Sequence, residues 1–219
     1  MSPIKTMVSW SSGKDSTLTL LRLLRDPRYQ VVGLYTSYVT DEVPFQATPI
    51  DVVRAQAALV GLPLVEIVLP EVFPPNTVYQ SCIVEGLCAS GIEIDAVAFG
   101  DMFCNGIADY RRSYIEPAGW QCVFPLMGED SALLAKEIVD CGIQTLVTTV
   151  DTTQLDGAYC GQWYSHDFVA ALPEGVDPCG EDGEFHTLVV EAPCFKARLE
   201  VCLTHIERQS RFHYQRYHL

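Results

Sequence analysis

Apolar and polar positions alternate along the first 150 residues with two periods. Apolar runs of strand length fall at 5–10, 31–35, 64–69, 96–99 and 143–150, with a shorter one at 122–125. Stretches of helical spacing separate them. Residues 16–25 set Leu18, Leu21 and Leu24 on one stripe, with Arg22 and Arg25 off it. Thr48-Pro49-Ile50-Asp51 opens the next helix, with Thr48 as N-cap and Pro49 in the first helical position, and Gly61 and Pro63 close it. Further helices follow over 76–90, closed by Gly91, over 107–116, and from an Asp130-Ser131 cap through Val139, with Gly142 after it. This alternation predicts an α/β fold, a parallel doubly wound sheet with helices on both faces and right-handed crossovers. Ligands of such sheets bind beyond the carboxyl ends of the strands, where strand order switches. Ser11 to Ser16, Tyr35-Thr36-Ser37, Gly100-Asp101 and Asp151-Thr152 all stand at such ends.

Past residue 151 the pattern changes. A helix near 165–172 precedes a turn-rich stretch over 173–183, and strand-like runs follow at 185–191, 195–203 and 211–217. The expected division is a larger domain over 1–151 and a small C-terminal α+β unit over 152–219 on the substrate side.

Composition narrows the setting. Hydrophobic residues make up 48% of the 219, enough for a full core. No apolar run approaches the ~20 residues that span a bilayer, and residues 1–5 lack the apolar core of a signal peptide. No membrane partner and a cytoplasmic location are expected. Nine cysteines with no Cys-x-x-Cys read as small apolar residues of a reduced core, not as a disulfide or zinc framework. A net charge of −14 argues against nucleic acid as a partner. The one candidate basic patch is Arg208, Arg211 and Arg216.

Three polar clusters can carry chemistry. Ser11-Ser12-Gly13-Lys14-Asp15-Ser16 turns from a strand into a helix, bringing backbone N–H groups, hydroxyls and an ammonium to one point, which suits phosphate or pyrophosphate. It is not a Walker A loop, because Val8 stands where the first glycine belongs and Asp15 follows Lys14. Gly180-Glu181-Asp182-Gly183-Glu184 crowds three carboxylates, whose repulsion a metal, a cationic substrate group or solvent must offset. Gly100-Asp101 is the third, with Asp109, Arg111, Arg112 and Glu116 downstream.

The Ser-x-Gly-Lys-Asp-Ser order directly after the first strand resembles the PP-loop of the ATP pyrophosphatase superfamily, whose members cut ATP between the α and β phosphates. With Gly100-Asp101 and the run Cys179-Gly180-Glu181-Asp182-Gly183-Glu184-Phe185-His186-Thr187, the chain resembles the diphthine–ammonia ligase family from Met7 to about Phe195. That resemblance implies a HUP-like (adenine nucleotide alpha hydrolase-like) fold and ATP with Mg2+. It implies phosphate binding by Ser11, Ser12, Gly13, Lys14, Asp15 and Ser16, with Tyr35, Gly100 and Asp101 completing the nucleotide site. Asp15 and Asp101 become the expected Mg2+ ligands, and Lys14, Arg112, Glu181 and Glu184 the expected catalytic residues. Arg111 is an alternative to Arg112 for holding a substrate carboxylate or phosphate oxygen.

The implied reaction is adenylation of a carboxylate followed by attack of ammonia, giving an amide, AMP and pyrophosphate. The implied partners are ATP, ammonia and a carboxylate acceptor, small molecule or protein side chain, with a homodimer left open. Other readings are adenylation of a different acceptor such as a tRNA base, and a non-catalytic ATP-binding module. The chain departs from the family at Ser12, where a glycine is usual, at Arg111 and Tyr114 for a glutamine and an arginine, at Met127 for a tryptophan, and at His186 for a glutamate.

Overall fold

The computed structural model describes residues 2–103 and 105–219; Met1 and Cys104, one of the nine cysteines, lie outside them. The chain runs β1 (Ile4–Ser9), α1 (Lys14–Arg25), β2 (Tyr29–Tyr38), the short hairpin β3 (Glu42–Val43) and β4 (Thr48–Pro49), α2 (Ile50–Val60), β5 (Leu64–Val68), α3 (Asn76–Ala89), β6 (Ala96–Ala98), α4 (Ile107–Ile115) and β7 (Gln121–Val123). It continues through α5 (Ser131–Asp140), β8 (Gln144–Asp151), β9 (Trp163–Tyr164), α6 (His166–Ala171), β10 (Phe185–Glu191), β11 (Cys202–Arg208) and β12 (Phe212–His218).

Five strands form a parallel sheet in the order β5-β2-β1-β6-β7. The chain starts at the centre, moves out to β5 and returns to β6, so strand order switches between β1 and β6. Two core clusters cover the faces. Ile83 and Leu87 of α3 and Ile115 of α4 pack on Met7, Tyr35 and Val97 on one side. Leu20 and Leu23 of α1 and Val53 and Ala57 of α2 pack on Val8, Leu34 and Ala98 on the other. The sheet is doubly wound, as the alternation predicts.

The second sheet is antiparallel, in the order β10-β8-β12-β11 with β9 beside β8. Here the structure corrects the sequence reading. The run at 143–150 is not a further strand of the parallel sheet but a central strand of the antiparallel one, so the change of sheet falls ahead of Gln144 and not at 151. A continuous apolar run signals burial on both faces and says nothing of its partner strands.

Helix α1 lies between the two sheets. Leu20 and Leu23 face the parallel sheet, whereas Leu18 and Leu21 join a cluster with Leu134, Ile138, Val147, Phe168 and Val189 of the C-terminal part. A helix buried on two sides has no single apolar stripe, which is why Leu24, expected on the stripe, is exposed. Arg22 on the same helix donates to the Pro125 carbonyl at 2.8 Å and pairs with Glu129 and Glu137, fastening the segment between the sheets to α1.

Smaller corrections follow. Thr48 does not cap α2; it pairs in the β3–β4 hairpin, Pro49 takes the cap position without a side-chain bond, and the Thr48 hydroxyl accepts from Tyr217 at 2.9 Å. The strand expected over 195–203 begins only at Cys202. Asp130 caps α5 as expected, accepting from the N–H of Ala132 and Leu133. The eight described cysteines are free, but only Cys160 and Cys179 are fully buried, and Cys88 and Cys202 are exposed. Among the described residues no helix is long and apolar enough to cross a membrane.

The close fit of α1 against β6 depends on Gly100. A Cβ there would stand 3.0 Å from the Asp15 carbonyl carbon and 3.2 Å from the Ser16 nitrogen, both main-chain atoms that cannot step aside. Gly100→Ala is expected to lower stability by about 1–3 kcal/mol, the usual scale of overpacking. Urea denaturation of the two proteins measures it.

Candidate functional site

The loop between β1 and α1 opens at the switch point, beside the Gly100-Asp101 end of β6. Ser12 has φ +70°, a left-handed conformation, and its hydroxyl is buried with no hydrogen-bond partner. That is the position where the resembled family carries glycine, which adopts this conformation without steric cost. The turn is locked from the other sheet. Val189 on β10 donates to the Ser12 carbonyl at 3.0 Å, and the buried Gln56 amide donates to the Ser12 and Val189 carbonyls. Trp10 completes the lock by donating its indole N–H to Gln56 Oε1 at 3.0 Å.

Gly13 precedes α1 with no side-chain cap, so the first turn keeps N–H groups for an anion. Lys14 N–H donates to Thr187 Oγ1 at 3.3 Å, and the Ser11 and Ser16 hydroxyls bond to each other at 3.2 Å.

Two adjoining chambers extend from this loop. One, of about 370 Å³, is polar and includes Ser11, Gly13 to Ser16, Gly100, Asp101, Glu181, His186 and Thr187 in its wall. The other, of about 650 Å³, is more apolar and is walled by Tyr35 to Ser37, Phe45, Leu69, Phe73 and Tyr79. Ser9, Ser11, Gln46 and Arg111 line both. Phe45 and Phe73 are exposed and meet edge to face at 5.0 Å.

Charge in the polar chamber is closely matched. Lys14 is buried, with Nζ 2.9 Å from the Asp15 carboxylate and 5.6 and 5.9 Å from the Phe185 and Tyr164 ring centroids. Burial works against the ammonium charge, but Asp15 outweighs it and the Lys14 pKa stands above its usual value. Burial raises Asp15 despite Lys14. Burial and the nearby Asp15 push Glu181 up to about 7, with Lys14 and a 3.3 Å bond from the Met102 N–H working the other way. His186 is pulled down to about 4 by burial and by Lys14, so its imidazole is neutral at pH 7. Cys179, whose thiol donates to the Ser131 carbonyl at 3.3 Å, is pushed up to about 12 by burial and is no thiolate nucleophile.

Ser11, Gly13, Lys14, Asp15, Ser16, Gly100, Asp101 and Glu181 therefore meet in one chamber, and Tyr35 lies in the adjoining one. Three of the expected residues, Ser12, Arg112 and Glu184, line neither chamber. Arg112 is outside both chambers, half-exposed against the Phe124 ring and near Asp109 and Glu116. One residue earlier on the helix, Arg111 turns inward, pairs with Asp101 at 3.1 Å and stacks 4.8 Å from the Phe99 ring. Its partner Tyr114, standing where an arginine is usual, accepts from Arg111 at 3.2 Å.

Glu184 is buried, but its carboxylate accepts from the Asp177 and Asp182 N–H groups and pins the turn instead of facing the cleft. Of the expected metal ligands, Asp101 already accepts from Arg111, and Asp15 is already ion-paired, with Lys14 Nζ 2.9 Å from each of its oxygens. Among the described residues no group of three His, Cys, Asp or Glu stands ready for a metal. The basic patch also dissolves: Arg211 pairs with buried Asp151, and Arg216 with Glu207 and Glu42.

Sequence reading missed Gln46 and the Phe45–Phe73 rim. No motif marks them; only folding of the β3–β4 hairpin over the strand ends brings them to the cleft. Thr187 was legible as part of the C-terminal motif, but not as a partner of the Lys14 backbone.

A doubly wound sheet with an uncapped helix terminus at its switch point is an α/β fold with the geometry of an anion cradle. Residues 130–218 match the family model of the diphthamide synthase C-terminal domain. The match begins at the residue that caps α5, takes in the whole antiparallel sheet, and agrees with the resemblance read from Cys179 to Thr187. No curated protein matches the chain.

Among solved structures, the predicted subunit of tRNA methyltransferase from Methanocaldococcus jannaschii is similar at 15% identity and TM-score 0.48, over 87% of this chain and 98% of that one. The U34-tRNA thiolase NcsA from Methanococcus maripaludis, with its [4Fe-4S] cluster, is similar at 17% identity and TM-score 0.40, over 63% of this chain and 56% of that one.

Two variants probe the site itself. Ser12→Gly relieves a left-handed serine and removes an unpartnered hydroxyl, so stability is expected to rise by about 0.5–1 kcal/mol in urea denaturation. For Glu181 the folded pKa, about 7, lies above the usual 4.5. Its stabilising contribution is full below pH 4.5 and is lost as pH rises through 7. Glu181→Gln should gain on the parent protein across that window, and a gap that does not change with pH would contradict the raised pKa.

Proposed function

We propose that this protein is an ATP-dependent ligase that adenylates a carboxylate, releasing pyrophosphate, and then forms an amide with ammonia. One observation carries the reading. Lys14 and an uncapped helix N-terminus sit in a polar chamber that shares Ser9, Ser11, Gln46 and Arg111 as wall with an apolar chamber large enough for a nucleoside. The diphthamide synthase C-terminal domain supplies β10 as one wall of that chamber and supports the amide-forming half of the proposal.

In this reading the nucleoside occupies the apolar chamber and the phosphates the polar one. A carboxylate oxygen of the acceptor attacks the α-phosphorus, and the bond to the β-phosphate oxygen breaks. Lys14, the α1 N-terminus and the Ser11 and Ser16 hydroxyls hold the pyrophosphate as its charge develops. Arg111, at the junction, faces the α-phosphate or the acceptor carboxylate, a task suited to a planar guanidinium.

Ammonia then attacks the acyl carbon and AMP departs. Glu181, close to neutral pH in its affinity for protons, takes the proton released by nitrogen. Mg2+, when bound with the nucleotide, would supply further charge neutralisation; Asp15 would have to share its carboxylate with Lys14 to hold it, and Asp101 would have to leave Arg111 to take part. The paired arginines of the C-terminal sheet and the net charge of −14 favour a carboxylate acceptor over a nucleic acid.

AMP and pyrophosphate release from ATP, measured with candidate carboxylates and ammonium, tests the reading. Lys14→Ala is expected to lower the rate by about 10²–10³-fold. Arg111→Ala should also fall steeply, whereas Arg112→Ala stays within about twofold, the usual fate of an exposed surface pair. Equal rates in Lys14→Ala and the parent protein would sink the mechanism.

A further inference from the structure

Two polar atoms in the cleft wall lack partners. Gln46 Oε1 is buried and makes no hydrogen bond; the Tyr35 hydroxyl is also buried, with only the Ser9 side chain close to hydrogen-bond reach. Interiors rarely leave such atoms unsatisfied, and a ligand is one ordinary explanation. Both residues line the apolar chamber, and Gln46 also lines the polar one.

The backbone holds Gln46 in place at some strain. Its neighbours Phe45 and Ala47 have φ of +65° and +49°, a left-handed region that residues with a side chain seldom enter. Strain of this kind gathers where the placement of a side chain matters. Two bonds fix the turn: the Gln46 N–H donates to the Pro44 carbonyl at 2.8 Å, and Thr149 on β8 donates to the Gln46 carbonyl at 3.3 Å. The Gln46 main chain is therefore held from both the hairpin and the antiparallel sheet.

Its position identifies what it meets. Among the described residues, only Ser9, Ser11, Gln46 and Arg111 border both chambers. In a nucleotide the group between base and phosphates is the sugar. We infer that Gln46 binds a sugar hydroxyl of the nucleotide, with the Tyr35 hydroxyl as a second contact, so that the site selects ribonucleotides over deoxyribonucleotides. A hydroxyl both donates and accepts, so it satisfies the amide in either orientation and the phenol as well. A deoxynucleotide leaves Oε1 buried and unpaired, which is the costly outcome.

The inference rests on the nucleotide reading above, and the experiment separates the two. Binding of ATP, 2′-deoxy-ATP and 3′-deoxy-ATP to the full chain is measured by calorimetry, for the parent protein and for Gln46→Leu and Tyr35→Phe. The parent is expected to bind at least one deoxynucleotide about 5–30-fold more weakly than ATP. Gln46→Leu should close that gap by weakening ATP alone, with deoxynucleotide affinity held within about twofold, and Tyr35→Phe should narrow it. Equal binding of all three by the parent, or an equal loss of all three in Gln46→Leu, overturns the inference while leaving nucleotide binding intact. No binding of ATP by the parent overturns the nucleotide reading with it.

Discussion

The Ser12 carbonyl is the point on which the structure turns. It accepts from Val189 on one sheet and from Gln56 on α2, while Trp10 at the end of β1 anchors the same glutamine. These bonds are buried, where an unmade hydrogen bond is expensive. Breaking any of them would strand polar groups in the interior. The lock therefore holds Ser12 in a conformation that a free serine avoids, and it fixes the direction in which α1 begins. The orientation of Lys14 and of the uncapped helix terminus follows from that.

The cleft is built jointly by the two sheets. The parallel sheet offers strand ends and the start of α1; the antiparallel sheet offers Thr187, Phe185 and Tyr164, and the turn ahead of β10 offers Glu181. Enclosing Lys14 between two rings keeps water from its flanks, so its charge acts at full strength on whatever enters from the open side. Matching cations with Asp15 and Asp101 keeps this enclosed charge affordable before any ligand arrives. It also leaves Glu181 as the group whose protonation answers to small changes around neutral pH.

Much of this was legible in the chain. The β–α alternation gave the parallel sheet and its two faces, and Ser11 to Ser16 and Gly100-Asp101 were placed together by the rule that ligands gather at the switch point. Periodicity reports burial and not partnership, so Gln144–Asp151 was read into the neighbouring sheet and Leu24 onto a stripe that α1 does not have. Adjacent residues on a helix point about 100° apart, so no reading of charge alone separates Arg111 from Arg112. Glu184 shows the same difficulty: a carboxylate in a turn can face a ligand or tie the turn, and only backbone geometry decides. Gln46 and Phe73 carry no motif, because their role comes from tertiary placement.

The approach of α1 to Gly100 and the exposed pair Phe45–Phe73 give the two ends of the cleft opposite mechanical characters. At the α1 end, main chain meets main chain with no side chain between, so its dimensions are set by the backbone alone. At the other end, the wall rests on two-residue strands and on the contact of two exposed rings. The shape of the cleft is therefore fixed by backbone packing at one end and by side-chain contact at the other.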